Sequence, residues 1–202
     1  MSEIEIKVDE ALIKRMYQRF RIEKKDLELL HEFGERLGPV IGQIADKALQ
    51  HILSFPECAA VFKGEPSKQK MLAGETAHLA KLFSGALDEE FFGMGFHIGL
   101  VHGALDIEPA WYLSCYAIYM DEFLRWLASP AQHISPEQAF EINMVLYKIM
   151  TLDISLAWEA YYRQREQKIR DSYQALEASH NLSLRMIEQR DREIEELLKT
   201  RG

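Results

Sequence analysis

No proline follows Pro136 in this chain of 202 residues, although six punctuate the stretch from Pro39 to Pro136. That absence constrains the fold more than any other feature, because nothing after Pro136 breaks a helix. Ser135-Pro136-Glu137-Gln138 has capping-box spacing and predicts a helix start. No stop signal follows until about Lys199. Roughly 64 residues at 1.5 Å each span on the order of 95 Å, far more than the width of a domain of about 165 residues. The helix must therefore leave the globular body. Near Tyr162 apolar residues thin out and charges dominate. A heptad seam runs through Ile169, Tyr173, Leu176, His180, Ser183, Ile187, Arg190, Ile194 and Leu197. Its polar members cost stability but can set register. The expectation is a body over residues 1–165 and a dimerising coiled-coil stalk over residues 166–202. The plainer reading of the second segment is a solvated helical tail.

The rest of the chain also reads at helical period, so the expected class is all-α. Leu12, Met16 and Phe20 share a face after Asp9, and Leu27, Leu30 and Leu37 share another after Asp26. Gly38 is expected to stop that second helix and Pro39 to open the next, which ends before Pro56. Phe62 to Ser67 reads as a connector. Helices follow from Ser67 to Phe83, from Asp88 to about Gly103, and from Pro109 to about Ser129. Asp106 is expected at the cap of the last of these.

Charge and cysteine count remove several function classes. A net charge of −8 argues against a nucleic-acid partner. The apolar runs Ala110 to Ser129 and Met144 to Trp158 are interrupted by Asp121, Glu122, Arg125, Lys148 and Asp153, so no membrane span is expected. Two cysteines, Cys58 and Cys115, make no disulfide framework and suggest a reduced, cytoplasmic setting. The acidic start of the chain has no apolar core of a secretory signal. Zinc spacings, a nucleophile elbow and a dinucleotide fingerprint are all missing from the sequence.

The informative segment runs from Phe91 to Tyr112. On a helix, Phe91, Met94, Ile98, His102 and Leu105 form one apolar stripe. Gly95, Gly99 and Gly103 form a bare ridge beside it. Each interior glycine costs about 0.5–1 kcal/mol, so something large or flat must come close. A macrocycle held through His102 is one candidate, and a tightly packed second helix is the other. His78 lies beside Leu79 and Leu82, and reads either as a core histidine or as a group facing a pocket opposite His102.

The run Ile98-Gly-Leu-Val-His102-Gly-Ala-Leu-Asp-Ile-Glu-Pro109-Ala-Trp111-Tyr112 resembles the signature I-G-x-x-H-x-x-I-G-L-x-P-x-W-Y of the globin-coupled sensor family. Leu82 to Phe91 and Lys25 to Leu30 are similar to flanking parts of that family. The resemblance covers roughly residues 10–165. It implies a globin sandwich that binds haem b, with His102 as the proximal iron ligand. Tyr112 matches a tyrosine that contacts this histidine, and Trp111 a packing position. Ile98, Leu105, Leu49, Met71, Gly74, Leu79 and Met94 are the further residues expected around the haem. The implied partners are a diatomic gas, O₂ first and NO or CO next, and a second copy of the chain through helices G and H. An output domain in cis, such as a cyclase, kinase or chemotaxis transducer, would lie beyond Gly202. The chain itself is not expected to be an enzyme. The family's B-helix Phe-Tyr pair is Ala48-Leu49 here, its polar E-helix position is Gly74, and the glycine of I-G-L is Asp106. A donor for O₂ would then come from Thr76 or His78, or the sensed variable is NO, CO or redox state. A haem-free sensor globin acting as an interaction module stays open as the alternative. An oxygen-handling enzyme has little use for a stalk.

Overall fold

The computed structural model describes residues 6–61 and 65–200. They form helices and turns, with no strand among the described residues. The helices are α1 (Glu10–Phe20), α2 (Lys24–Leu53), α3 (Pro56–Ala59), α4 (Glu65–Leu82), α5 (Glu89–Ala104), α6 (Pro109–Leu127) and α7 (Pro136–Thr200), with a single 3₁₀ turn at Pro130–Gln132. Local chemistry sets most of these boundaries. The Asp9 carboxylate accepts from Leu12 N–H at 2.9 Å, and the Asp88 carboxylate accepts from Phe91 N–H at 3.1 Å. Each satisfies an orphan donor of a first turn. Ser135 and Gln138 exchange reciprocal bonds of 3.2 Å, so the capping box opens α7 as the spacing predicts.

The expected break at Gly38-Pro39 does not occur. Helix α2 runs through both residues for 30 residues. Pro39 removes one helical hydrogen bond, at a cost of about 3 kcal/mol. Gly38 does not adopt the left-handed conformation that a helix stop needs. Leu37, Ile41, Ile44, Ala48 and Ile52 are buried along one continuous face. Each large apolar side chain contributes about 1.5–3 kcal/mol on burial, which outweighs the lost bond. Asp106 is not a helix cap either. Glu108 is the N-cap residue of α6, while Asp106 sits at φ 55° in the turn between α5 and α6. The family's glycine would accommodate that conformation, and aspartate is among the few other residues that tolerate it. The Asp106 side chain pairs with Arg165 and, at 2.8 Å, with Lys168 of α7. The connector expected at Phe62 to Ser67 lies partly outside the described residues, and α4 has already begun at Glu65.

The core sits between α2, α4, α5, α6 and the first half of α7. Phe33, Phe83 and Phe123 meet edge to face, with ring centroids 5.5 and 4.9 Å apart in successive pairs. The glycine ridge of α5 faces α7. A Cβ on Gly99 would stand 2.0 Å from the Ala157 carbonyl oxygen. Gly95 abuts Leu156 and Gly103 abuts Gln164. The ridge thus lets two helices touch backbone to backbone, and a macrocycle does not lie against it. Helix α7 is buried on its inner face as far as Ala160. From Ser172 to Lys199 every side chain is exposed, so the helix leaves the body as its length requires. The described helices include none long and apolar enough to cross a membrane.

Gly99→Ala should lower stability by about 1–3 kcal/mol, because a backbone carbonyl cannot move aside as a side chain can. Gly93→Ala meets nothing within 4 Å. It should leave stability unchanged or raise it by up to about 1 kcal/mol. Urea denaturation of the two variants checks the contrast, and equal midpoints would contradict the close contact.

Candidate functional site

Helix α5 ends at Ala104, and its last two turns put Ile98 and His102 on the wall of a cavity of about 220 Å³. Helix α4 supplies Met71, Glu75 and His78 at helical spacing. Helix α6 supplies Tyr112, Tyr116 and Tyr119, and α2 ends on it with Ile52. Trp111 also lines the cavity, its ring 4.7 Å from that of Phe55.

One hydrogen bond fixes which nitrogen of His102 donates. Its Nδ1 lies 2.8 Å from the Ile98 carbonyl oxygen. A carbonyl only accepts, so Nδ1 carries the proton and donates. Burial of the ring lowers its pKa below the ordinary histidine value, against the opposing effects of that bond and of Glu75. The neutral ring then keeps its lone pair on Nε2. A neutral imidazole whose other nitrogen is anchored on a backbone carbonyl is the donor that haem iron takes. The residues present therefore fit a haem held through His102.

Tyr112 packs its ring edge against His102, with centroids 5.2 Å apart. Its hydroxyl points elsewhere, 2.5 Å from the Tyr116 hydroxyl. Tyr116 donates in turn to Asp153 Oδ2 at 2.6 Å. Asp153 lies on α7 and is fully buried. The same oxygen accepts from His78 Nε2 at 2.7 Å. Burial alone would lower the His78 pKa, but the Asp153 carboxylate beside it reverses the shift and holds it above the ordinary value. Burial drives the Tyr112, Tyr116 and Tyr119 hydroxyls upward, and pushes the Cys115 thiol up to about 12. The Tyr119 hydroxyl donates to Glu75 at 2.7 Å.

The residues expected around the site divide. His102, Tyr112, Ile98 and Met71 line the cavity. Leu49 and Leu79 are buried outside its lining, as is Ala48. Leu105 is 53% exposed, Gly74 is exposed with open space around it, and Met94 lies a turn before the lining residues of α5. Of the two proposed donors, His78 lines the cavity, whereas the Thr76 hydroxyl bonds to Leu72 of its own helix. Sequence reasoning missed Asp153, Glu75, Tyr116 and Tyr119. The signal for Asp153 was one acid at helical spacing among Ile149, Leu156 and Ala160, all buried.

In the haem-free protein, long-range ¹H–¹⁵N spectra should show His102 titrating below 6.5 and His78 above it. The linked contributions to stability have opposite signs. The His78 contribution is present below 6.5 and lost as pH rises through its folded pKa. The His102 contribution is present above 6.5 and lost as pH falls toward its lower folded pKa. A His102 that titrates at or above 6.5 would contradict the neutral ring.

Comparison with known proteins bears on the fold and the family. The Protoglobin family matches residues 9–167. Among solved structures, the globin domain of a Geobacter sulfurreducens globin-coupled sensor is similar at 18% identity and a TM-score of 0.66, over 74% of this chain and 97% of that one. No curated protein sequence matches the chain. The match to solved structures gives a globin fold, and the match over residues 9–167 places the chain in the protoglobin family.

Proposed function

We propose that this chain is a haem-based sensor domain with haem b held by His102, and that α7 carries its state toward an output domain. The observation that supports it most is the place of His102 on the cavity wall, with Nδ1 anchored on the Ile98 carbonyl, in a protoglobin-family chain. When bound, the haem would supply an iron that takes a diatomic ligand. Ile98 orients the histidine, Tyr112 limits its tilt, and Ile52, Met71 and Trp111 keep the cavity largely apolar.

O₂ is the first candidate ligand, with NO and CO the others. A phenol has one O–H. Tyr116 gives its proton to Asp153, so the proton between the two tyrosines belongs to Tyr112, and Tyr119 gives its own to Glu75. These three hydroxyls therefore all have acceptors within the protein. The α2 residue on the wall is Ile52, which has no hydroxyl to offer. This leaves His78, on the cavity wall with Nδ1 unpartnered, as the remaining donor for O₂, and keeps redox state as the second reading.

The sensor body is proposed to span residues 1–165, with residues 166–202 as a stalk. A second copy is the proposed partner for the outer faces of α6 and α7. Phe140, Met144 and Tyr147 are exposed at i, i+4 and i+7 on α7, and Leu113 and Leu124 on α6. Along the stalk, Ile169, Tyr173, Leu176, Ile187, Ile194 and Leu197 are each at least half exposed, which suits a heptad seam.

Protein supplied with haemin should show a Soret band that moves on reduction and on addition of CO, and His102→Ala should lose it. Absence of the band in the wild type would sink the haem reading. Removal of residues 166–202 should weaken the dimer in sedimentation experiments. An unchanged association constant would refute a stabilising stalk.

A further inference from the structure

We propose that Asp153 is the positioning residue that couples the cavity to α7, by fixing Tyr112 against His102 through Tyr116 while it holds His78 of α4. The inference rests on the sensor reading above and adds the route from the site to the long helix. A carboxylate at this position needs a reason. Asp153 is fully buried beside Leu152, Leu156 and Gly95, where an apolar side chain would satisfy the packing. What compensates the charge is the pair of donors on Oδ2, from Tyr116 at 2.6 Å and His78 at 2.7 Å.

The donors fix the direction of the chain. The carboxylate only accepts, so Tyr116 must donate to it. Tyr116 then accepts from Tyr112, whose ring meets the edge of His102. A tilt of His102 therefore displaces Tyr112, and the displacement ends on an oxygen of α7. His78 brings α4, across the cavity, to the same oxygen. A second arrangement is available as well. Asp153 Oδ1 and His78 Nδ1 are buried without a partner, so the carboxylate can exchange acceptor atoms as its donors move. A coupling element needs two such arrangements that a site can bias. Beyond Asp153 the helix continues to Thr200 without proline or glycine, so a shift at its buried end is carried outward.

The test uses the full chain loaded with haem and reduced, in hydrogen-exchange mass spectrometry with and without CO. In the wild type, CO should change exchange in residues 166–200. In Tyr116→Phe and Asp153→Asn, compared at CO saturation as read from each variant's own Soret band, that exchange response should fall by at least half. The ferrous iron–histidine stretching frequency should also move in both variants, a change that a purely structural role would not produce. Thr151→Val, on the same helix with its hydroxyl bonded to Tyr147 and Lys148 of that helix, should leave both readings at the wild-type values. Tyr116→Phe keeps the test decisive if Asp153→Asn does not fold. A wild type without a Soret band defeats the sensor reading itself. A wild type that binds CO without an exchange response overturns the coupling alone. So do variants that keep the full response and an unmoved stretching frequency.

Discussion

The contact between Gly99 and the Ala157 carbonyl is the constraint on which the remaining geometry depends. A backbone can approach another this closely only where no Cβ intervenes. Three glycines one turn apart let α5 lie along α7 over its last turns. The ridge costs about 0.5–1 kcal/mol per glycine in an isolated helix. Burial of Phe91, Phe92 and Phe96 on the same helix offsets that several times over. The contact fixes the rotation of α5 about its axis. With the glycines turned to α7, Ile98 and His102 necessarily turn to the cavity. The same closeness leaves Asp153 against Gly95, where a larger residue on α5 would crowd the carboxylate.

The polar floor of the cavity is the least favourable part of an otherwise apolar body. A buried carboxylate, a buried histidine and three enclosed tyrosine hydroxyls all require desolvation. Their stability comes from mutual satisfaction, and it is incomplete, since one oxygen of Asp153 and one nitrogen of His78 are left over. Either protonation state of His78 leaves Nδ1 without a partner. The hydrogen bonds at that ring therefore do not lock a single charge state, and the choice falls to Asp153 electrostatics. Such a cluster weakens the fold relative to apolar packing. Its position between the cavity and the departing helix gives it a use that packing alone would not have.

Much of this was legible from sequence, for reasons that particular residues show. Asp9, Asp88 and Ser135 announced helix starts because capping is local, a few residues reading only one another. The exit of α7 followed from length alone. The place of His102 on the cavity wall was legible because its stripe and its motif agree. The failures are equally physical. Gly38-Pro39 looks like a stop and a start, but the buried face of α2 outweighs a single lost bond. Leu105 was placed on the stripe by a period that ends with the helix at Ala104, and beyond that end the chain turns away. Gly74 missed by one position. The cavity face of α4 is Met71, Glu75 and His78, and a rotation of about 100° moves its neighbour out of reach. Asp153 was visible only as a charge interrupting an apolar run. Its role needs three other helices that no local pattern brings together.

Besides the glycine ridge, two sets of polar contacts among the described residues join the cavity region to α7, and their physics differs. At the surface, the turn after α5 is tied down by Asp106, whose carboxylate meets Arg165 and Lys168 while Lys168 also reaches the Ala104 carbonyl at 3.0 Å. These ion pairs are solvent-exposed, so water and salt screen them, and each is worth roughly 0–1 kcal/mol. They can hold the turn at rest but resist displacement weakly. The buried chain through Tyr112, Tyr116 and Asp153 is short, directional and shielded from solvent. In a low-dielectric interior its bonds are stiffer, and losing one leaves an unpaired charge. Of these two polar routes the interior one is better able to bias the helix, while the surface pairs help set where the helix rests. That division also accounts for an aspartate at a left-handed turn position where glycine would be less strained. The glycine would fit the backbone better, but it would leave Arg165 and Lys168 without the carboxylate that ties the turn to the base of the long helix.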